Sequence, residues 1–202
     1  LIKLSYTLII TPAIIIAVTS LYYSEEFMRL LYPIHEGETS LEFNYRIQES
    51  SKVFGLLMAS FCAVSTMYIF STLLTANNNL KHLNLIAFSG VIVNMGLNFV
   101  LIPHYQAMGS ALATLVTQFL TAGIQVYIVS RIFHFRKNYL YQIKFVFFVA
   151  GVFVLGYFSK QTGWAWHVNV ALLVLSSLAL SMLIRFLSPG NLFKVLKYGE
   201  VH

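Results

Sequence analysis

The sequence contains no aspartate and only one cysteine, Cys62, and its acidic residues are seven glutamates. Because catalytic carboxylate pairs and hard-cation sites need clustered carboxylates, few positions are open to either kind of site. A single cysteine excludes an internal disulfide framework, and a thiol within an apolar run is most simply a packing residue. Charged residues make up 10% of the chain, compared with roughly 25% in an ordinary soluble domain. This shortage of charge excludes a soluble globular fold.

Long apolar runs take the place of charge, and 58% of the residues are hydrophobic. Five runs reach the roughly 18 residues that indicate a membrane-spanning helix. A sixth is shorter, but Lys144 and Lys160 bracket it and can snorkel to the interfaces. We therefore predict an all-α fold, a polytopic membrane helical bundle with about six transmembrane helices in a domain over 1–187. The predicted spans are about 4–24, 53–76, 83–103, 106–130, 143–160 and 164–186, and 188–202 is a predicted basic cytoplasmic tail.

Basic residues lie at the ends of the predicted spans, so membrane topology explains the net charge of +6 better than nucleic-acid binding does. Six spans place both termini on one side, with nine basic residues there and four on the other side. The first side carries Lys3, Lys81, Arg131, Arg136, Lys137, Lys144, Arg185, Lys194 and Lys197. The second side carries Arg29, Arg46, Lys52 and Lys160, with six of the seven glutamates. The positive-inside rule then predicts that both ends of this segment are cytoplasmic.

The segment RIFHFRKNYLYQIK, 131–144, mixes basic and aromatic residues between two predicted spans. Its basic side chains are candidates for contact with lipid headgroups: Arg131, Arg136, Lys137 and Lys144. The pattern is typical of an interfacial segment that touches anionic headgroups. A specific contact with a lipid pyrophosphate is the sharper alternative, and the spacing does not separate the two.

No lysine, arginine or glutamate lies deep in a predicted span, although ion-coupled transporters commonly place an ionisable residue there. The uncharged polar residues at depth are therefore the candidates for a substrate cavity. Asn94 and Asn98 share one helix face, and Gln118 and Gln125 lie two turns apart on the next helix. Hydrogen bonding between helices is the alternative role for all four.

The sequence has no convincing catalytic constellation. Ser110 lacks the spacing of a nucleophile elbow, and the six histidines form no metal-binding pair. A loop with His35, Glu36, Glu38 and Glu42 is more simply a solvated acidic loop than a cation site. We expect no enzyme activity, metal or cofactor. A membrane-bound glycan polymerase or acyltransferase is the less favoured alternative, because such enzymes usually need a sizeable loop with catalytic residues.

The stretch NMGLNFVLIPHYQAMGSALAT, 94–114, predicts a tight hairpin between two membrane helices. Pro103 is predicted to end the first helix. Small residues at four-residue spacing then allow two backbones to approach closely on the second helix. The predicted helix-packing motif consists of Pro103, Gly109, Ser110, Ala113 and Thr117.

This stretch resembles polysaccharide and O-antigen flippases of the multidrug/oligosaccharidyl-lipid/polysaccharide exporter superfamily, in which N-x-x-x-N-x-x-L-I-P precedes a short turn and G-x-x-G-[AS]-A-x-A-T. The matching residues are Asn94, Asn98, Leu101, Ile102, Pro103, Gly109, Ser110, Ala111, Ala113 and Thr114. Gln106 stands where the family often has glycine, and Pro33 replaces a glycine in an upstream turn. Asn77, Asn78 and Asn79 replace another glycine-containing turn. The resemblance covers about residues 1–130.

The resemblance implies a two-lobed transporter of 12–14 helices, of which this chain is the C-terminal portion. The lack of an initiator methionine suggests the same. It also implies a bacterial cytoplasmic (inner) membrane location and a polyprenyl-pyrophosphate-linked glycan as cargo. The implied partners are membrane lipids and further N-terminal helices of the same protein, without nucleic acid. A multidrug/cation antiporter or a peptidoglycan-precursor flippase of the same superfamily is the alternative function.

Overall fold

The computed structural model describes residues 2–135 and 138–187, and these residues form six helices and no strand. The helices are α1 (Ile2–Tyr22), α2 (Ser24–Leu31), α3 (Ser40–Ala76), α4 (Leu80–Ile132), α5 (Tyr139–Gln161) and α6 (Trp166–Leu183). All of them except α2 are long and apolar enough to span a membrane. This architecture confirms the predicted all-α polytopic bundle. The predicted tail, 188–202, lies outside the described residues.

Helix α1 lies at the centre of the bundle and packs against α3, α5 and α6. Ile10, Ile14 and Val18 of α1 are at least 96% buried and pack in one cluster with Phe148 and Val152 of α5. Pro12 lies within α1 without ending it, as neighbouring helices permit in a membrane. Helix α1 packs against other helices over most of its surface, although Ile16 and Leu21 are exposed, which explains why its apolar residues do not follow one narrow stripe.

Helix α3 begins at Ser40, well before the predicted span at 53, so the second half of the segment between the first two predicted spans is helical. Thr39 explains the early start. Its hydroxyl accepts a hydrogen bond from the Glu42 backbone N–H at 3.4 Å, and the Glu42 carboxylate accepts one from the Thr39 N–H at 2.9 Å. This reciprocal pair is a capping box, which satisfies backbone donors at a helix start. The first turns of α3 therefore stand outside the apolar run and carry charge.

Helix α4 is a hairpin of two antiparallel arms, 80–105 and 107–132, joined at Gln106. Gln106 has φ 50° and ψ −128°, which is not a helical conformation. Across the hairpin, Asn94 faces Thr117 and Gly90 faces Thr121, so the two arms run side by side in opposite directions. Each arm of 26 residues is about 39 Å long, enough to cross a hydrocarbon core of about 30 Å. With the two arms counted separately, the described residues therefore contain six helical segments long enough to span a membrane.

The position of the hairpin turn corrects the prediction for Pro103. Pro103 is inside the first arm, and the helix continues through it to Tyr105 before breaking at Gln106. Proline has no backbone N–H to donate to the preceding turn, and its ring clashes with that turn. The residues after it can still stay helical. The turn itself needs one residue with positive φ, and Gln106 is that residue.

Helices α5 and α6 form a second hairpin that packs on α1. Asn138 caps α5 by accepting a hydrogen bond from the Tyr141 backbone N–H at 2.9 Å. At the other end of α5, the Thr162 hydroxyl donates to the Asn169 side chain at 2.8 Å and ties the connection to α6. Helix α5 draws its contacts from α1 and α6, and this arrangement leaves a cleft between α5 and the second arm of α4.

Candidate functional site

Asn94 and Asn98 form a hydrogen-bonded ladder within the α4 hairpin. The Asn98 amide donates to the Asn94 side-chain oxygen at 2.8 Å, and the Asn94 amide donates to the Thr117 hydroxyl at 3.4 Å. Both asparagines are half-buried, and Thr117 is 7% exposed. Hydrogen bonds of this kind between membrane helices stabilise packing by about 0.6 kcal/mol. The geometry favours a packing role for the two asparagines over a cavity role.

The two predicted glutamines occupy different environments on the second arm. Gln118 is half-buried, whereas Gln125 is 4% exposed. The Gln125 side-chain oxygen has no hydrogen-bond partner among the described residues. A buried amide oxygen without a partner is costly, so Gln125 has unused hydrogen-bonding capacity. The buried side-chain oxygen of Asn98 likewise has no partner among the described residues. The hairpin ladder does not include either glutamine.

The small residues of the predicted packing motif lie where the two arms meet. A Cβ atom at Gly109 would collide with the backbone carbonyl of Leu101 in the first arm, and Ala113 is fully buried. Ser110 is half-buried, and Pro103 is exposed near the turn. Close approach is therefore concentrated at Gly109, next to the turn, where any side chain would push the arms apart.

The basic segment that follows α4 is only partly described. The Arg131 guanidinium lies over the Tyr127 ring at 5.3 Å, and the Lys144 ammonium lies 3.5 Å from the backbone carbonyl oxygen of Arg185. Arg136 and Lys137, the other two headgroup candidates, lie outside the described residues. Arg131 is exposed and Lys144 is half-buried at the same end of the bundle.

A cleft of about 800 Å³ opens at this basic end, between α1, α3, the second arm of α4 and α5. Its lining is mostly apolar, with Phe70 buried and Val126, Phe145 and Val146 closer to the surface. Polar groups occupy its mouth: Lys3, Ser130, Asn138, Tyr141 and Gln142. Clefts of this size and mixed lining commonly bind small molecules.

Hydrogen bonds fix the walls of this cleft, and sequence reasoning missed the residues that form them. The Thr7 hydroxyl is 2.8 Å from the Tyr141 hydroxyl and joins α1 to α5. The Tyr6 hydroxyl is 3.4 Å from the Thr66 hydroxyl and joins α1 to α3. The adjacent pair Tyr6–Thr7 in an otherwise apolar run was the available signal, since polar side chains in a membrane helix mark contacts with other helices.

The opposite end of the bundle is acidic, and all four of its basic residues are paired. Arg29 binds Glu25 at 2.8 Å, Arg46 binds Glu38 at 2.8 Å, Lys52 binds Glu49 at 2.7 Å, and Lys160 binds Glu26. At the basic end, the five described cations are Lys3, Lys81, Arg131, Lys144 and Arg185. None of these five has a carboxylate partner among the described residues. The two ends therefore differ in the sign of their net charge and in how far it is neutralised.

The carboxylates of Glu38 and Glu42, two residues of the acidic loop, accept hydrogen bonds from neighbouring protein groups. The Arg46 guanidinium binds both Glu38 oxygens at 2.8 Å, and the His35 backbone N–H donates to Glu38 at 3.1 Å. These hydrogen bonds, that of Arg46 first, lower the pKa of Glu38 to about 2. Hydrogen bonds from Thr39 lower the pKa of Glu42. Both carboxylates therefore act in the structure of this loop.

No family model, curated protein or solved structure matches this chain.

Proposed function

We propose that this chain is part of a flippase that moves lipid-linked oligosaccharide or polysaccharide precursors across the bacterial cytoplasmic membrane by alternating access. The α4 hairpin carries the proposal. Its asparagines, turn and small residues follow the order found in polysaccharide and O-antigen flippases. Gln106 has the positive φ that suits glycine, the residue often found at this position in that family. The backbone thus supports the resemblance at the one position of the hairpin where the side chain departs from it.

The absence of charge at membrane depth supports a lipid-linked cargo over cation exchange. In the described helices, the charged side chains lie outside the long apolar runs or at their ends, and the buried polar side chains are uncharged. A multidrug/cation antiporter commonly needs an ionisable residue in the membrane, and these helices do not offer one. Such an antiporter, or a peptidoglycan-precursor flippase, is the alternative if further helices supply that charge.

The proposed mechanism follows from the cost of moving a charged glycan through hydrocarbon. Transfer of an ionised headgroup without hydrogen-bonding partners is prohibitive, so two lobes must rock around a protected polar path while the lipid tail stays in the bilayer. This chain would supply one lobe, with further helices of the same protein as the other. The basic end would face the cytoplasm and meet the pyrophosphate, with Arg131, Arg136, Lys137 and Lys144 as candidate contacts. We propose no enzyme activity and no cofactor.

A headgroup-translocation assay tests this proposal. The protein is reconstituted into liposomes with a polyprenyl-pyrophosphate-linked glycan that carries a fluorescent label on the sugar. A membrane-impermeant reductant then destroys the label in the outer leaflet, and a flippase makes the inner-leaflet label accessible as well. Fluorescently labelled phosphatidylglycerol in parallel liposomes controls for leakage and general scrambling. Retention of the inner-leaflet signal with a matched glycan would refute the proposal.

Alanine substitution of Asn94 and Asn98 separates packing from transport. The ladder with Thr117 leads us to expect that N94A/N98A lowers the amount of folded protein recovered. Normal recovery with lost headgroup translocation would instead place the two amides in the transport path. Asn84→Ala serves as the matched control, since Asn84 is an exposed asparagine of the same hairpin outside the ladder.

A further inference from the structure

The cleft at the basic end has the shape and polarity of a lipid site. It lies between two helices that are consecutive in the sequence, the second arm of α4 and α5, and it opens at the bundle surface. Val146 on its rim is 63% exposed, and Val126 opposite is 36% exposed. Deeper in the cleft, Phe70 is 8% exposed. In a membrane this opening faces hydrocarbon, so an apolar chain can enter sideways from the bilayer.

Hydrogen bonds and aromatic packing between helices hold the walls of the cleft in place. Helix α1 is tied to α5 through Thr7 and Tyr141, and to α3 through Tyr6 and Thr66. The Tyr6 and Phe70 rings pack with their centroids 5.7 Å apart. These contacts hold three of the four walls in fixed relation, while α4 and α5 stay apart at the opening. A preformed cleft binds its occupant with little loss of conformational entropy.

The mouth of the cleft carries a positive charge without a carboxylate partner among the described residues. The Lys3 ammonium lies over the Tyr141 ring, 4.9 Å from its centroid. All six described glutamates are at the opposite end of the bundle. Side chains of Asn138 and Gln142 lie at the same mouth and carry amide N–H donors, whereas the Ser130 hydroxyl donates to the Tyr127 backbone carbonyl at 2.7 Å. A phosphate group complements this combination of one cation and two amide donors.

We propose that this cleft binds one anionic phospholipid from the leaflet at the basic end, with an acyl chain between α4 and α5 and the phosphate at Lys3. Apolar walls open to the bilayer account for the acyl chain. Lys3, which has no carboxylate partner among the described residues, accounts for the selection of a negative headgroup. The occupant is a lipid of the surrounding membrane and not transported cargo, so the inference stands independently of the proposed flippase activity.

Native mass spectrometry of the purified protein with added phosphatidylglycerol or phosphatidylcholine tests the site. We expect one retained phosphatidylglycerol per chain and weaker retention of phosphatidylcholine. Lys3→Gln is expected to weaken phosphatidylglycerol binding by roughly five- to tenfold, because it removes one charge from the phosphate contact. Lys81→Gln is the matched control. It removes one exposed charge from the same end but not from the cleft, and it should change binding less than about twofold.

A second pair of variants tests the acyl chain without changing charge. Val146→Trp fills the opening of the cleft and is expected to abolish retention of phosphatidylglycerol. Val154→Trp places the same ring on α5 outside the cleft, at a residue that is 53% exposed, and should leave retention unchanged. Size-exclusion profiles matching that of the wild type identify variants that are folded.

Several outcomes would overturn the proposal. Equal losses in K3Q and K81Q would indicate general attraction to the basic end, and unchanged binding in V146W would show that no chain enters the cleft. Selective retention of polyprenyl phosphate in place of phosphatidylglycerol would assign the cleft to cargo. Failure to retain phosphatidylglycerol in the wild type would mean that something else covers the cleft, such as another protein segment.

Discussion

At the scale of single residues, Gln106 has a backbone conformation that glycine adopts easily and that a residue with a side chain adopts only with strain. Its φ of 50° with ψ of −128° is a combination essentially reserved for glycine. The side chain is exposed at the tip of the α4 hairpin, so no burial compensates for the strain. The position demands a backbone that glycine supplies most easily, and the sequence provides glutamine instead.

Gln106→Gly is therefore expected to stabilise the protein by about 1 kcal/mol, because relief of the strained backbone exceeds the added entropy of the unfolded chain. Thermal unfolding in detergent measures the change as an increase in Tm. Gln48→Gly is the matched control. Gln48 is an exposed glutamine inside α3, where glycine should lower stability by roughly 0.5–1 kcal/mol. Equal effects at the two positions would contradict the assignment of strain to Gln106.

At the scale of elements, the α4 hairpin depends on close approach of its arms at Gly109. Gly109→Ala is expected to destabilise the protein by about 1–3 kcal/mol, because the added methyl group collides with the backbone carbonyl of Leu101. Gly96→Ala is the control on the first arm, where an added Cβ meets nothing within 4 Å, and should be neutral or stabilising. Denaturation midpoints of the two variants give the comparison, and a neutral G109A would show that the arms can separate freely.

The start of α3 gives an expected pH dependence. The pKa of Glu38 is lowered to about 2 in the folded protein, below about 4.3 for an ordinary glutamate. A lowered folded-state pKa contributes stability that is complete above the unfolded-state pKa and is lost as the pH falls towards the folded-state value. Glu38→Gln should therefore lower Tm at neutral pH, and its difference from the wild type should shrink between about pH 4 and pH 2.

Glu36→Gln provides the control for this pH series. Glu36 is exposed in the same loop and forms no ion pair with the described residues. Its substitution should change Tm little at any pH, since exposed charges without partners contribute little. A Glu38→Gln difference that stays constant from neutral pH to pH 2 would rule out the Arg46–Glu38 pair as its cause.

At the scale of the whole molecule, the charge difference between the two ends predicts the orientation in the membrane. The basic end has five described cations without carboxylate partners, and the acidic end pairs each of its four. The positive-inside rule then places the basic end in the cytoplasm. Glu36 and His82 are exposed residues on opposite ends and are suited to report it.

Cysteine labelling in intact cells measures this orientation. In a Cys62→Ala background, Glu36→Cys should react with a membrane-impermeant maleimide added outside. His82→Cys should react only after the membrane is permeabilised. The reverse pattern would invert the topology and remove the proposed cytoplasmic contacts with pyrophosphate. A Cys62→Ala protein without an added cysteine sets the background signal.

The sequence by itself determined the fold class, because apolar runs of membrane-spanning length leave helices as the natural way to satisfy the backbone. It also determined which charges lie at which end, since each span reverses the direction of the chain. The hairpin between Asn94 and Thr117 was predictable for the same reason. These features depend on local composition and chain order alone.

Only the tertiary structure decided how the polar residues are used. Asn94 and Asn98 are equally compatible with a cavity and with packing in the sequence, and their ladder with Thr117 appears only when the arms are side by side. The cleft at Lys3 needs three regions that are distant along the chain to converge: the start of α1, the end of α3, and the consecutive ends of α4 and α5. Periodicity and composition indicate whether a helix lies in lipid or in water. Contacts between helices depend on how several distant segments pack together, which no single segment determines.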